Sequence, residues 1–323
     1  MRRIISILFE LLSSIKQSRI KDFLPAGFLN LFKVYNYHAW MAFNIWTQDC
    51  EYDPIRTAKS LLARRKRILF HPEVPWESSM MFQICLIQRY AITNHGNRGF
   101  DLAVKWKSAT YSESDPMLAS YAKYRSVVNF RCNDISKSHV NQIFTEVFGY
   151  TARVDPLIFE GRCVRKSNLN ALHDGKVIDC PIAEVDENCI YQILIDNETN
   201  DGSIMDIRVP IVKQTIPFVF LYFRPVEIRF SSEIKVIKTA DTPDIFTEEE
   251  HKNIIRFCGE LGLDYGELDV LRDRRDGKIY IVDANTTPHG PPVHLGSRQT
   301  GLRRLATTFE DQFFEKDRST ASR

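Results

Sequence analysis

L-D-V-L-R-D-R-R-D-G-K-I-Y-I-V-D-A-N-T-T-P-H-G-P-P, residues Leu268–Pro292, contains two short β runs. Leu268, Val270 and Leu271 mark the first, and Ile279, Tyr280, Ile281 and Val282 the second. Between them Arg275-Asp276-Gly277 suits a three-residue hairpin loop, with Gly277 left-handed. That register sets Asp269 opposite Asp283, and the two-residue period of a strand puts Asp283 and Asn285 on one face. Three oxygen-bearing side chains then converge at one sheet end, next to a Thr-Thr-Pro turn. Hard cations such as Mg²⁺ take such ligands together with substrate phosphate oxygens. The alternative is an acidic hairpin rim facing water. A polar Asp-x-Asn closing a run as apolar as I-Y-I-V weighs against it.

The chain of 323 residues is long enough for one large or two to three compact domains with a real core. A net charge of +2, with no basic stretch interleaved with aromatics, gives no reason to expect a nucleic-acid partner. The seven cysteines are scattered without a C-x-x-C pair, which argues for free thiols in a reducing compartment. Met1–Leu12 is basic, then apolar, but too short for a membrane span, and no small-residue cleavage site follows. The basic, aromatic stretch 1–46 either packs on its own domain or lies on a membrane surface. The expected location is cytoplasmic, with peripheral contact at the inner membrane face through residues 1–46 as the added option. Oligomeric state is not legible.

Upstream of the hairpin, Lys66–His71 reads as a buried strand, Ser78–Tyr90 as a helix and Asp101–Trp106 as a second strand. That order is an α/β unit and implies a small parallel sheet. Ser126–Phe130 is a further strand, after which Asn133–Ser136 opens a helix with Val140, Ile143, Phe144 and Val147 inward and Gly149 as its stop. Lys137 in its first turn opposes the helix dipole, so either Asp134 compensates or an anion lies there. Gly161–Lys166 and Cys189–Ile195 are strands, and D-I-R-V at Asp206–Val209 and F-R-P-V-E-I-R-F supply Arg208, Arg224 and Arg229, read as strand residues facing one cleft. Thr247 and Glu250 form a capping box that starts a helix with Ile254, Ile255 and Cys258 inward. A closing helix is expected around Leu302–Phe314.

The hairpin pattern, with these lysines and the D-x-R strand ahead of it in order, resembles the ATP-grasp superfamily. Its members include D-alanine–D-alanine ligase, glutathione synthetase and the ribosomal-protein glutamate ligases, the branch nearest in motif. The resemblance covers about Asn129–Pro292. It implies an α/β (α+β) ATP-grasp fold, two α+β lobes gripping ATP, laid out as a helical segment at 1–60, an α/β domain at 61–128 and the nucleotide lobes at 129–323. It implies ATP and two Mg²⁺ ions as cofactors, with Mn²⁺ as the alternative metal. By resemblance Asp269, Asp283 and Asn285 hold metal, and Lys137 and Lys166 reach the nucleotide phosphates. The backbone of Gln192, Ile193 and Leu194 takes adenine, and Asp196 or Glu198 the ribose. Arg208 and Arg229 stabilise the transferring phosphoryl group, and His289 is the candidate base for an amine.

Three features depart from the family, the first being Asp283 where many members have Glu. An arginine often found two residues before the first metal acid is here Glu267, and most glycines of the phosphate loop are replaced, by Asn168, Asn170, His173 and Asp174. The implied activity is a ligase joining a carboxylate to an amine through an acylphosphate. A kinase acting on a hydroxyl and a non-catalytic ATP-binding module are the alternatives, and the substrate is a small molecule, peptide or glycan.

Overall fold

The computed structural model describes residues 64–315 apart from 173, 232 and 292–296, and these fall in a compact unit that begins at Arg64. The expected segment 1–60, the surface-binding stretch 1–46 and His173 lie outside the described residues.

Continuous apolar runs form the first sheet. Strands β1 (Arg67–Pro72), β2 (Ala91–Thr93), β3 (Leu102–Trp106) and β4 (Val127–Val128) pair in the order β2-β1-β3-β4, all parallel. Ile68, Leu69 and Phe70 are fully buried, as strands covered on both faces require. Helix α1 (Met80–Ile87) links β1 to β2, and its N-cap Ser79 accepts from the Phe82 amide. Helix α2 (Pro116–Ala122) precedes β4. The parallel sheet is as expected, but β2, at three residues, is too short to declare itself by pattern.

Helix α3 (Lys137–Phe148) is capped by Ser136 and ends at Gly149, whose φ is 77°. A three-stranded antiparallel sheet follows, with β5 (Gly161–Ser167) between β6 (Lys176–Cys180) and β7 (Cys189–Ile193). The last sheet has five antiparallel strands: β8 (Ser203–Val212), β9 (Val219–Pro225), β10 (Val236–Ala240), β11 (Tyr265–Arg272) and β12 (Ile279–Asn285), ordered β10-β9-β8-β11-β12. Helix α4 (Glu248–Leu261) carries the expected Thr247–Glu250 capping box and buries Ile254 and Cys258. Phe257 is buried with them, while Ile255 is only half-buried.

Strand alternation divides the five-stranded sheet into a core side and a cleft side. Ile207, Val209 and Ile211 of β8 and Leu268 and Val270 of β11 are fully buried, in one cluster with residues of α3 and α4. The residues between them, among them Asp206, Arg208, Glu267 and Asp269, line the cleft. Helix α5 (Ser297–Glu310) closes the unit, with Leu302, Leu305 and Phe309 packed beside Phe70, Trp106, Phe220 and Tyr265. Among the described residues no helix is long and apolar enough to cross a membrane.

Candidate active site

The β11–β12 hairpin delivers its oxygens to the cleft by a route that simple alternation does not predict. Asp269 pairs with Asp283, as expected, and Glu267 with Asn285. Nearer the turn the register is shifted by one, with Val270 opposite Ile281 and Arg272 opposite Ile279. The connection is therefore Asp273–Lys278 rather than three residues, although Gly277 is left-handed at φ 74°. A β-bulge at Val282 restores the pairing. It also changes which face is presented: Ile279 and Ile281 lie in the core, whereas Asp283 and Asn285 line the cleft. Without the bulge the two-residue period would place all four on one face. Val282, unpaired in the register, turns its carbonyl to Lys166, whose Nζ donates to it at 3.1 Å.

Four oxygen-bearing side chains of the hairpin thus line the cleft: Glu267, Asp269, Asp283 and Asn285. Arg208 of β8 is opposite Asp269 and donates to its carboxylate, and lies 3.9 Å from Glu267. Burial pushes the Asp269 carboxyl up to about 7; Arg208 opposes this, and Asp283 and Glu267 add to it. Burial likewise raises Glu267, against the pull of Arg208 and Arg298. Asp283 Oδ1 accepts from the Ala284 amide at 3.0 Å, and Asn285 Oδ1 from the Thr287 amide at 2.9 Å.

The two lysines converge on this group. Burial first, then the neighbouring Lys137 ammonium, pulls Lys166 down to about 8, while Asp283, Asp269 and Asp174 oppose the shift. Lys137 Nζ donates to Leu169 O at 2.7 Å and to Asn170 Oδ1 at 3.0 Å. The segment after β5 is tied down by asparagine. Asn170 donates through Nδ2 to Ile135 O and Ala284 O, and its amide donates to Thr110 Oγ1. Asn168 Oδ1 accepts from the Ser138 amide at the start of α3. Asp174 lines the cleft and accepts from the Ser167 amide.

Gln192, Ile193 and Leu194 line the same cleft, which has a volume of about 710 Å³. The Ile193 amide donates to Ala152 O, and Leu194 O accepts from Arg275, so these two backbone groups already have protein partners. Asp196 does not reach the cleft lining. Its carboxylate pairs with Arg274 at 2.7 Å, and Glu198 pairs with the same guanidinium at 3.6 Å. The residue between them, Asn197, points inward instead and holds Arg229 and Asp206. Arg229 lies in the cleft, but on the turn after β9 rather than on a strand. Arg224 is braced by Asp206 at 2.7 Å. The Nε–H groups of Arg208 and Arg224 are buried without a partner, a deficit that an anion beside them would fill.

His289 also lines the cleft, with its Nδ1 already engaged. Trp76 Nε1–H donates to His289 Nδ1 at 3.2 Å, and the rings lie 4.9 Å apart. An indole N–H is a donor only, so the neutral imidazole must carry its proton on Nε2. Burial, then Arg298, lowers the imidazole further and keeps it neutral. His289 therefore presents a donor. Trp76, which comes from the segment after β1, and Asn197 are cleft residues that sequence pattern alone does not single out. Their signal is tertiary.

No protein-family model and no curated protein matches the chain. Solved structures do. The D-alanine–D-alanine ligase from Bacillus anthracis complexed with ATP aligns over 79% of this chain and 98% of its own, at 14% identity and a TM-score of 0.50. The ATP-grasp ligase PsnB, complexed with a precursor peptide and AMPPNP, aligns over 77% of this chain and 98% of its own, at 10% identity and a TM-score of 0.50. With a parallel sheet ahead of two antiparallel sheets around one charged cleft, the chain has the ATP-grasp ligase fold.

Proposed function

We propose that this protein is an ATP- and Mg²⁺-dependent ligase that joins a carboxylate to an amine through an acylphosphate, releasing ADP and phosphate. The observation that carries the reading is the bulge-turned set of Asp269, Asp283 and Asn285 facing Lys137 and Lys166 across one cleft. The donor set fits the groups it would hold. Three hard oxygens suit Mg²⁺, and the cationic wall suits a polyphosphate. The cleft volume of about 710 Å³ is that of a small-ligand site. Bound Mg²⁺ would neutralise charge developing on the phosphoryl oxygens.

Lys137 and Lys166 hold the α- and β-phosphates, which requires Lys137 to leave Leu169 O and Asn170. Asp269 would hold the metal, which would leave Arg208 for the transferring phosphoryl group, with Arg229 supporting it from the turn after β9. The backbone around Gln192–Leu194 borders the adenine. His289 orients the acceptor as a hydrogen-bond donor. We assign 61–128 to the leading α/β domain and 129–323 to the nucleotide lobes.

The test is a screen of amino acids, peptides and sugar acids, with amine acceptors, for stimulated ADP release. A peptide belongs in the panel because PsnB is complexed with one. The expected products are free phosphate and an amide. Phosphate retained on a hydroxyl would make the enzyme a kinase, and ADP release without Mg²⁺ would contradict the metal assignment.

A further inference from the structure

Glu267 stands apart from every other acid in the cleft. Asp206 is held by Arg224 and Asn197, Asp174 by the Ser167 amide, Asp269 by Arg208 and Asp283 by the Ala284 amide. No described residue hydrogen-bonds the Glu267 carboxylate, and its nearest cation, Arg208, is 3.9 Å away and already engaged by Asp269. Arg298 adds positive potential but donates to Gln83 Oε1 and to the carbonyls of Ser78, His289 and Pro291. Glu267 is nonetheless only 6% exposed. A carboxylate so buried and so poorly matched is costly unless a partner arrives. What exposure remains opens into the cleft that Glu267 lines with Trp76 and His289.

We propose that Glu267 is the anionic subsite for a cationic group, a primary ammonium or guanidinium, on the acceptor substrate. The proposal rests on the ligase reading and names the charge class of the substrate. Its placement follows from the hairpin. Glu267 pairs with Asn285 and lies two residues from Asp269, so a cation held there sits beside the metal end of the nucleotide. The Trp76 indole adds an aromatic wall, a surface that also favours cations. A guanidinium side chain at position 267 would exclude such a group by like charge. A carboxylate there reverses the selection.

Binding to the full chain is measured by calorimetry in the presence of Mg²⁺ and AMPPNP, with 1,5-diaminopentane and agmatine as cationic probes and 1,5-pentanediol as the neutral isostere. Wild type should bind the cations at least about tenfold tighter than the diol, as a charge-assisted contact predicts. Glu267→Gln should reduce that preference to about twofold or less while AMPPNP still binds, which also reports that the variant folds. Glu267→Asp should keep part of the preference. A wild type without preference, or a Glu267→Gln variant that retains it, overturns the proposal. So does a Glu267→Gln variant that loses Mg²⁺-dependent AMPPNP binding, since the carboxylate would then be a metal ligand. Failure of the ligase reading shows separately, as no ADP release with any acceptor, and leaves the binding preference to be judged on its own.

Discussion

Asp269 and Lys166 set opposite pH limits on the same site. Asp269 lies above the ordinary carboxylate range because burial and three neighbouring acids outweigh Arg208, so a metal ion held there would have to displace its proton below about pH 7. Lys166 lies below the ordinary lysine range, so above about pH 8 it loses the charge that attracts phosphate. Mg²⁺-dependent nucleotide affinity should therefore be greatest between these values and fall on both sides, which titrations from pH 5.5 to 9.5 would check. Raising the folded value of Asp269 above its unfolded one also means that ionising it costs stability. The nucleotide-free protein should lose stability from this group as pH rises from about 4 to about 7. His289 enters differently. With Nδ1 occupied by Trp76, the imidazole has no lone pair to offer. His289→Gln should lower turnover less than about tenfold and leave the pH profile in place, whereas loss of the acidic limb in that variant would restore the histidine as a base. The acids, lysines and Arg208 are legible in the sequence because their spacing relative to strand and helix ends is local. The tautomer of His289 is not, because Trp76 comes from another part of the chain.

At the scale of elements, the hairpin shows that one pairing can be reached by two different routes. A three-residue loop would place Asp269 opposite Asp283, and so does the observed longer loop followed by a bulge at Val282. Alternation of apolar residues carries no mark of that one-residue offset, because I-Y-I-V is apolar throughout. The bulge is what turns Asp283 and Asn285 away from the core, so its support is part of the site. Gly266 provides some of it: a Cβ there would lie 2.5 Å from Asn285 O. Gly266→Ala should displace the Asn285 backbone and weaken Mg²⁺-dependent nucleotide binding by more than about tenfold. Unchanged binding would mean that the strand end is not tightly placed. The capping box of α4 gives a contrast, since Thr247 lies outside the cleft lining. Thr247→Ala should cost about 1 kcal/mol of stability and leave nucleotide affinity unchanged. Helix starts and stops of this kind were readable because capping chemistry is written within four residues.

Across the whole molecule, the order of motifs announces the fold, and the cleft assembles them from one helix and two sheets. Lys137 comes from α3, Lys166 from β5, Gln192 from β7, Arg208 from β8 and the oxygens from the last hairpin. What the sequence does not reveal is how the loop after β5 is held. Thr110, Ile135 and Ala284 all take hydrogen bonds from Asn170, and these partners are far apart in the chain. Asn170 therefore anchors the loop against the protein in the described state, with Lys137 held by it. The same holds for Asp196 and Glu198, which both turn to Arg274 on the far hairpin loop, a partner no local pattern connects to them.

The most direct measurement is thermal stability of wild type and Asp283→Ala with saturating AMPPNP, with and without Mg²⁺. At about 100 times Kd, binding should stabilise wild type by about 2.7 kcal/mol in the presence of Mg²⁺. Most of that gain should vanish without the metal, and in the variant at any Mg²⁺ concentration. An equal gain in Asp283→Ala, or no Mg²⁺-dependent gain in wild type, would contradict the assignment of the hairpin as the metal end of a nucleotide cleft.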